Sequence, residues 1–310
     1  MATTSIKDVG TAVHGSDRFF VAPSTSGPTP RRGIAYGLST AIAVLIVASS
    51  LSGLLIDGLY RDGAWAREAL RGGDLTTLVL VVPVLIGSLA LSIRGSRRAE
   101  VVWIGALAYS VYDYAYYVFG AAFNDVFVLH IALLALSIWA LALSVSTLDR
   151  RAAATALGIG RSGRWVGLFL ALVGSILGSL WLFLAVRFAI TGELMADVPA
   201  DGVHLVFAID LSLLVPALVV AGVLLWRRTE AGTVFGAVMT VMGLLYQVNL
   251  LVSGVFQSNA DVAGAKAFPL EGIVVAAGFA VSAAVLLGRR ATTRSTDEQG
   301  RRTERWNKRW

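Results

Sequence analysis

Seven side chains suited to ligand binding lie within otherwise apolar stretches of this 310-residue chain. Charged and strongly polar groups inside lipid are costly, and they usually face a helix-bundle interior or a wetted cavity. We therefore expect these residues to bind a substrate in one shared pocket. They are Asp113, Tyr116, His130, Arg187, Asp210, Gln247 and Asn249.

The densest group of such residues is a stripe of tyrosines around one carboxylate. Tyr109, Asp113, Tyr116 and Tyr117 stand at positions i, i+4, i+7 and i+8, which is one face of a helix. Phenol hydroxyls can hold a buried carboxylate ionised, or can share a proton with it. The stripe favours the lining of a site, and the alternative is an aromatic belt at the membrane interface.

Apart from Arg94, the last residue of the second predicted span, Arg187 is the one arginine or lysine within the predicted spans, and Asp113 and Asp210 compete to be its partner. A buried charge of either sign is expensive when it is unpaired. One interpretation is a structural ion pair. The other is a clamp for an anion or a carboxylate, with the planar guanidinium facing the substrate.

Other chemistries have weaker support. His130 has no second ligand at i+3 or i+4, so we expect no metal site, and no motif calls for a cofactor. The chain has no cysteine, which excludes disulfides and thiolate catalysis. Two alternatives to ligand binding stay open. One is an enzyme acting on a lipid or isoprenoid, with His130 and a carboxylate as acid and base, and the other is a structural or sensory subunit.

Apolar helices must position these residues. Hydrophobic residues make up 56% of the chain and charged residues 15%, with a mean hydropathy of +0.72, which predicts an integral membrane protein. Runs long enough to cross about 30 Å of hydrocarbon predict an all-α bundle of eight transmembrane helices. They are residues 34–57, 75–94, 101–122, 126–147, 165–190, 203–226, 231–257 and 268–288.

The distribution of lysine and arginine predicts the orientation. With both termini in the cytoplasm, 21 basic residues face inward, and Arg61, Arg67, Arg71 and Lys266 face outward. This arrangement is typical of the cytoplasmic membrane, and it accounts for the net charge of +6 without nucleic acid. The basic tail 301–310 either contacts anionic lipid headgroups or only enforces the orientation. Because the polar residues fall in the outer leaflet, the pocket should open outward.

Two segments of the chain repeat a pattern. Asp74-Leu75-Thr76, Pro83 and the pair Arg97-Arg98 recur as Asp210-Leu211-Ser212, Pro216 and Arg227-Arg228. We interpret this as two parallel four-helix halves, residues 33–148 and 165–289, with coincidence as the alternative. Residues 1–32 and 290–310 form cytoplasmic tails, the first of them flexible, and 149–164 a linker. The match is loose, because Pro83 lies 14 residues before its arginine pair and Pro216 lies 11 residues before its own pair.

Three stretches of the chain resemble a known group of proteins. Residues 112–124, together with Asp210-Leu211-Ser212 and Leu225-Trp226-Arg227-Arg228, resemble polytopic bacterial membrane proteins to which no activity is attached. The likeness covers the second to seventh predicted spans. It implies that the tyrosine stripe is a feature of that group.

The leading expectation is a non-enzymatic membrane protein that binds or transports a small solute or lipid through an outward-facing polar pocket. Geometry separates the alternatives. His130 within hydrogen-bond reach of Asp113 or Asp210 would favour an enzyme. The absence of any cavity would favour a purely structural role.

Overall fold

The computed structural model describes residues 29–158, 160, 162–193 and 200–288, except for the side chains of 200–202. Every regular element in these ranges is helical. The expectations for the two termini, including lipid contact by the basic tail 301–310, concern residues outside the described ranges. The helices are α1 (Pro30–Leu55), α2 (Ala64–Thr76), α3 (Val82–Ile93), α4 (Arg97–Phe119), α5 (Phe127–Thr147), α6 (Arg150–Leu157), α7 (Gly163–Thr191), α8 (Ala200–Ile209), α9 (Val215–Trp226), α10 (Glu230–Asn259) and α11 (Leu270–Leu287).

Seven of the described helices are long and apolar enough to cross a membrane, so the chain is a multi-pass membrane protein. Two of them join consecutive elements, α2 with α3 and α8 with α9, into continuous helices. The seven are Pro30–Leu55, Ala64–Ile93, Phe127–Thr147, Gly163–Thr191, Val203–Trp226, Glu230–Asn259 and Leu270–Leu287.

Helix α4 is absent from these seven although it has 23 residues. Its five tyrosines and Asp113 lower its hydropathy, and 15 of its residues are buried in the bundle. It packs against α3, α5 and α10, which shield it from the surroundings. A central helix of this kind does not need a fully apolar surface.

Helices α1–α5 form a first part of the chain and helices α7–α11 a second part, and the helices of both parts pack in a similar pattern. In the first, α1 packs on α5 and on the α2–α3 helix, and α4 packs on α3 and α5. In the second, α7 packs on α9, and α10 packs on α9 and α11. Helix α10 also packs against α2 and α4, so α4 and α10 lie at the centre of the molecule.

Each part contains one helix interrupted by a π-helical segment of five residues. Thr77–Val81 links α2 to α3, and Asp210–Leu214 links α8 to α9. The π segments directly precede Val82-Pro83 and Val215-Pro216. Proline removes a backbone donor, and π turns often lie at functional sites.

Several landmarks of the two parts are separated by the same number of residues. The same number of residues separates Pro30 from Gly163, Thr77 from Asp210, Pro83 from Pro216, and Arg97 from Glu230. The hydroxyl caps Ser96 and Thr229, which accept hydrogen bonds from the amides of Ala99 and Gly232, keep that spacing as well. The arginine pairs do not. The first pair begins α4, whereas the second lies before α10, three residues out of this register.

The turn between α4 and α5 is a short connection. Asn124 is buried, and its side chain bonds the carbonyl of Ala122 and the amide of Val126. Asp62 accepts a hydrogen bond from the amide of Ala122, which ties this turn to the α1–α2 connection. The two helices therefore form a tight antiparallel hairpin.

Candidate functional site

A cavity of about 750 Å³ lies among six elements: α2, α4, α7, α8 with its π segment, α10 and α11. This volume is typical of a small-molecule site. The cavity lies toward the end of the bundle where α4 and α10 finish, which we call the far end. The opposite end, where α1, α4 and α10 begin, carries Arg32, Arg97 and Arg98, and we call it the basic end.

One wall of the cavity carries Asp113, which is 5% exposed. Its Oδ1 accepts hydrogen bonds from the Tyr109 hydroxyl at 3.2 Å and from Asn249 Nδ2 at 3.3 Å. Its Oδ2 accepts from the Thr77 hydroxyl at 3.5 Å. Thr77 is the first residue of the π segment, so the interrupted helix directs a hydroxyl toward the carboxylate.

Asp210 lies on the same cavity and is completely buried. Its Oδ1 accepts from the Tyr112 hydroxyl at 2.6 Å, and its Oδ2 accepts from the indole Nε1 of Trp181 at 2.8 Å. Tyr112 also bonds the Tyr246 hydroxyl at 3.2 Å. Asp210 begins the second π segment, in the place that Thr77 holds in the first.

The rest of the predicted polar set divides in two. Tyr116, Gln247 and Asn249 line the cavity. Gln247 donates from Nε2 to the carbonyl of Gly272 on α11 at 3.4 Å, and Asn249 Oδ1 accepts from Ser253 at 3.2 Å. The structure therefore brings five of the seven predicted residues to one cavity.

Arg187 does not join them. Its side chain is exposed on α7 and is not part of the cavity lining, and it makes no ion pair with Asp113 or Asp210. The predicted pairing is therefore wrong. The physical reason is that hydroxyl, amide and indole donors already occupy both carboxylates, while Arg187 is exposed near the C-terminal end of α7.

His130 is completely buried, but it too lies apart from the cavity. Its Nε2 is 3.0 Å from the Ser49 hydroxyl on α1, and its ring is 4.9 Å from that of Tyr117. It is not bonded to Asp113 or Asp210, so the geometry that would favour an acid–base pair for an enzyme is not formed.

The cavity wall is less polar than the sequence suggests. Most of its lining on α7 and α8 is aliphatic, because these helices present one apolar face inward: Val173, Ile176, Leu177, Leu180, Leu184, Val203 and Val206. The expected polar pocket is instead amphipathic, with polar groups mainly on the α4 and α10 side. Such a cavity suits a ligand with an apolar body and a polar end.

Sequence reasoning missed several contributors. The predicted site residues include neither Trp181 nor Tyr246. The spacing of the chain could have indicated Tyr246, because Tyr246 follows Pro216 by as many residues as Asp113 follows Pro83. In this register Thr77 corresponds to Asp210 and Asp113 to Tyr246. With this spacing, a hydroxyl residue of one part corresponds to a carboxylate of the other at both positions.

Asp74 is a third buried carboxylate, and it lies beside the cavity without lining it. It accepts from the Tyr60 hydroxyl at 2.6 Å and from the Tyr117 hydroxyl at 3.1 Å. Burial, followed by the charge of Asp74, raises the pKa of the Tyr60 hydroxyl, which lies in the α1–α2 connection, well above its ordinary value. Tyr60 therefore remains a hydrogen-bond donor to Asp74.

Within the described residues, no group of three His, Asp or Glu side chains is arranged to hold a metal ion. Comparisons with family models, curated proteins and solved structures return no match for this chain. The resemblance to polytopic bacterial membrane proteins stays a prediction.

Proposed function

We propose that the protein binds a small amphipathic molecule in the cavity and carries it within or across the cytoplasmic membrane. The observation that carries this proposal is the 750 Å³ cavity itself, with an aliphatic wall on α7 and a hydrogen-bonding wall on α4 and α10. Asp113 and Asp210 are the buried acids of the site. Tyr116, Gln247 and Asn249 orient the polar end of the ligand.

The proposal includes eight spans, with α4 as the eighth. Helix α4 is long enough at 23 residues, since about 20 residues cross the hydrocarbon. Its neighbours α3, α5 and α10 pack around it, so the surface of α4 itself does not have to be fully apolar. With the basic end in the cytoplasm, the cavity opens to the extracytoplasmic side.

The proposal also includes two duplicated halves, 33–148 and 165–289. The constant spacing of three pairs of helix starts (α1 and α7, α3 and α9, α4 and α10), of the π segments, of the prolines and of the hydroxyl caps supports it. Four helices per half preserve orientation, so the axis relating the halves runs along the membrane normal. A ligand site between them lies where such duplicated proteins usually have one.

The test places a larger side chain on one wall of the cavity. Val173 lines it, while the adjacent Leu172 is 50% exposed and does not. Equilibrium dialysis of the full chain in detergent, with the neutral probe triphenylphosphine oxide, compares Val173→Trp with Leu172→Trp. We expect Val173→Trp to lower probe affinity about tenfold or more, because the indole occupies ligand volume. Leu172→Trp should bind like the parent.

Equal detergent in all samples cancels the partition of the probe into micelles. Thermal unfolding of each variant excludes misfolding as the cause. Binding that is identical in the parent and both variants, or absent in the parent, would refute the proposed site. For the transport step, reconstituted vesicles with Asp113→Asn should accumulate less probe than vesicles with the parent.

A further inference from the structure

The charges around the cavity have a single sign. The charged residues that line it are Asp113, Asp210 and Glu271, and no lysine, arginine or histidine of the described chain lines it. Arg187, six residues beyond Trp181 on α7, is exposed, and Arg67 and Arg71 on α2 pair with Glu68 at 3.0 and 3.5 Å. An anionic ligand at this depth would meet only like charge.

Asp210 is completely buried, and no lysine, arginine or histidine of the described residues forms an ion pair with it. Its two hydrogen bonds come from neutral donors, Tyr112 and Trp181. Trp181 can only donate, so Oδ2 acts as an acceptor. Neutral donors relieve part of the cost of burying the group, and a cation nearby would relieve more.

Four aromatic rings form what we call the aromatic cage: Tyr112, Trp181, Phe207 and Tyr246. All four line the cavity. Trp181 stacks on Phe207 with ring centroids 4.5 Å apart, and Tyr112 meets Tyr246 edge-on at 4.9 Å. Aromatic faces attract cations through the negative potential of the ring, and cages of this kind recognise quaternary ammonium groups.

The cage and the carboxylate act on the same ligand charge. Tyr112 and Trp181 donate their polar hydrogens to Asp210, so the carboxylate lies at the edge of both rings. A negative group at the ring edge makes the ring faces more attractive to a cation, because it adds to the potential that the cation meets. The aliphatic wall of α7 then covers an apolar body.

We infer that the cavity selects a monovalent organic cation with an apolar body, whose charge lies in the aromatic cage with Asp210 behind it. The inference rests on the proposed function, since it takes the cavity as the ligand site. It replaces the anion clamp that Arg187 suggested with a site of opposite sign.

The test uses two ions of one shape and opposite charge, tetraphenylphosphonium and tetraphenylborate. Equilibrium dialysis of the full chain should give an affinity for the phosphonium at least about tenfold above that for the borate. Asp210→Asn keeps the shape of the side chain and removes its charge, so it should lower phosphonium affinity about tenfold. It should not weaken borate binding.

Asp74→Asn is the matched control, because Asp74 is also buried and bonded by phenols but does not line the cavity. It should leave the affinity for both ions unchanged. Where Asp210→Asn fails to fold, Tyr246→Leu removes one ring of the cage and should weaken the phosphonium alone.

Equal affinities for the two ions in the parent would overturn the inference, as would unchanged phosphonium binding in Asp210→Asn. If triphenylphosphine oxide binds and the phosphonium does not, the proposed function stands and the charge selection falls. If none of the three probes binds, both fall.

Discussion

Five acidic side chains are buried within the described part of the chain, and they are stabilised in two ways. Glu68 and Glu100 pair with arginines. Asp74, Asp113 and Asp210 instead accept hydrogen bonds from hydroxyl, amide or indole donors. Arginine already neutralises the charge of Glu68 and Glu100, so these carboxylates attract a cationic ligand only weakly. A carboxylate that is bonded only by neutral donors keeps its charge and can still attract a cation. Of the three aspartates, only Asp113 and Asp210 also line the cavity, which makes them the candidate binding acids.

Glu100 provides the prediction at this scale. It is 1% exposed, and it bridges Arg32 of α1 at 2.7 Å and Arg97 of α4 at 2.9 Å. Glu100→Gln removes the counter-charge that the two guanidinium groups share. We expect it to lower the free energy of unfolding by about 2–3 kcal/mol, measured by denaturant titration in mixed micelles.

The control is Asp125→Asn. The Arg61–Asp125 pair has a similar distance, 2.9 Å, but its side chains are 54% and 72% exposed. An exposed pair contributes at most about 1 kcal/mol. A loss for Glu100→Gln no greater than that for Asp125→Asn would show that burial does not strengthen the bridge.

At the scale of elements, glycine sets how closely α7 and α9 approach. A Cβ on Gly222 would lie 2.6 Å from the amide nitrogen of Ala171, and one on Gly167 would lie 2.7 Å from the carbonyl of Gly222. A Cβ on Gly174 or Gly178 would instead meet side-chain atoms, those of Leu218 at 2.9 Å and of Val215 at 2.7 Å. Small residues let membrane helices pack backbone to backbone. This helix pair forms one side of the bundle, and α7 positions Trp181 at the cavity.

Gly222→Ala should therefore destabilise the protein by about 1–3 kcal/mol, because backbone atoms cannot move aside for the methyl group. Gly37→Ala on α1 is the matched control, since a Cβ there meets nothing within 4 Å. It should be neutral or stabilising by up to about 1 kcal/mol through helix propensity. Thermal unfolding in detergent measures both, and an equal effect of the two substitutions would contradict close packing of α7 on α9.

At the scale of the whole molecule, the basic and far ends predict a single orientation. The chain has no cysteine, so single-cysteine variants report on one site each. Asp125→Cys lies in the α4–α5 turn at the far end, and Asp149→Cys lies just before α6 at the basic end; both positions are exposed. In intact cells, a membrane-impermeant maleimide should label the first and not the second.

Permeabilised cells serve as the control, because both variants should then react. Labelling of Asp149→Cys alone in intact cells would invert the proposed topology. It would also turn the cavity toward the cytoplasm.

The sequence by itself determined the class of protein and the positions of its long helices. Apolar runs of about 20 residues have few stable structures other than membrane helices, so their location follows from composition. Seven of the predicted runs coincide with helices that can cross a membrane, and the eighth coincides with the more polar α4. The cost of burying charge also indicated Asp113, Asp210 and Asn249, which the structure brings to one cavity.

Only the tertiary structure decided which polar groups meet. Whether Arg187 points toward Asp210 depends on how α7 is rotated about its axis relative to α9. The hydropathy of the sequence does not determine that rotation. The partners that Asp210 has, Tyr112 and Trp181, come from helices far apart in the chain. The π segments add a further shift, because each inserted residue turns the helix beyond it by about 100°. Packing therefore determined the sign of the charge around the cavity.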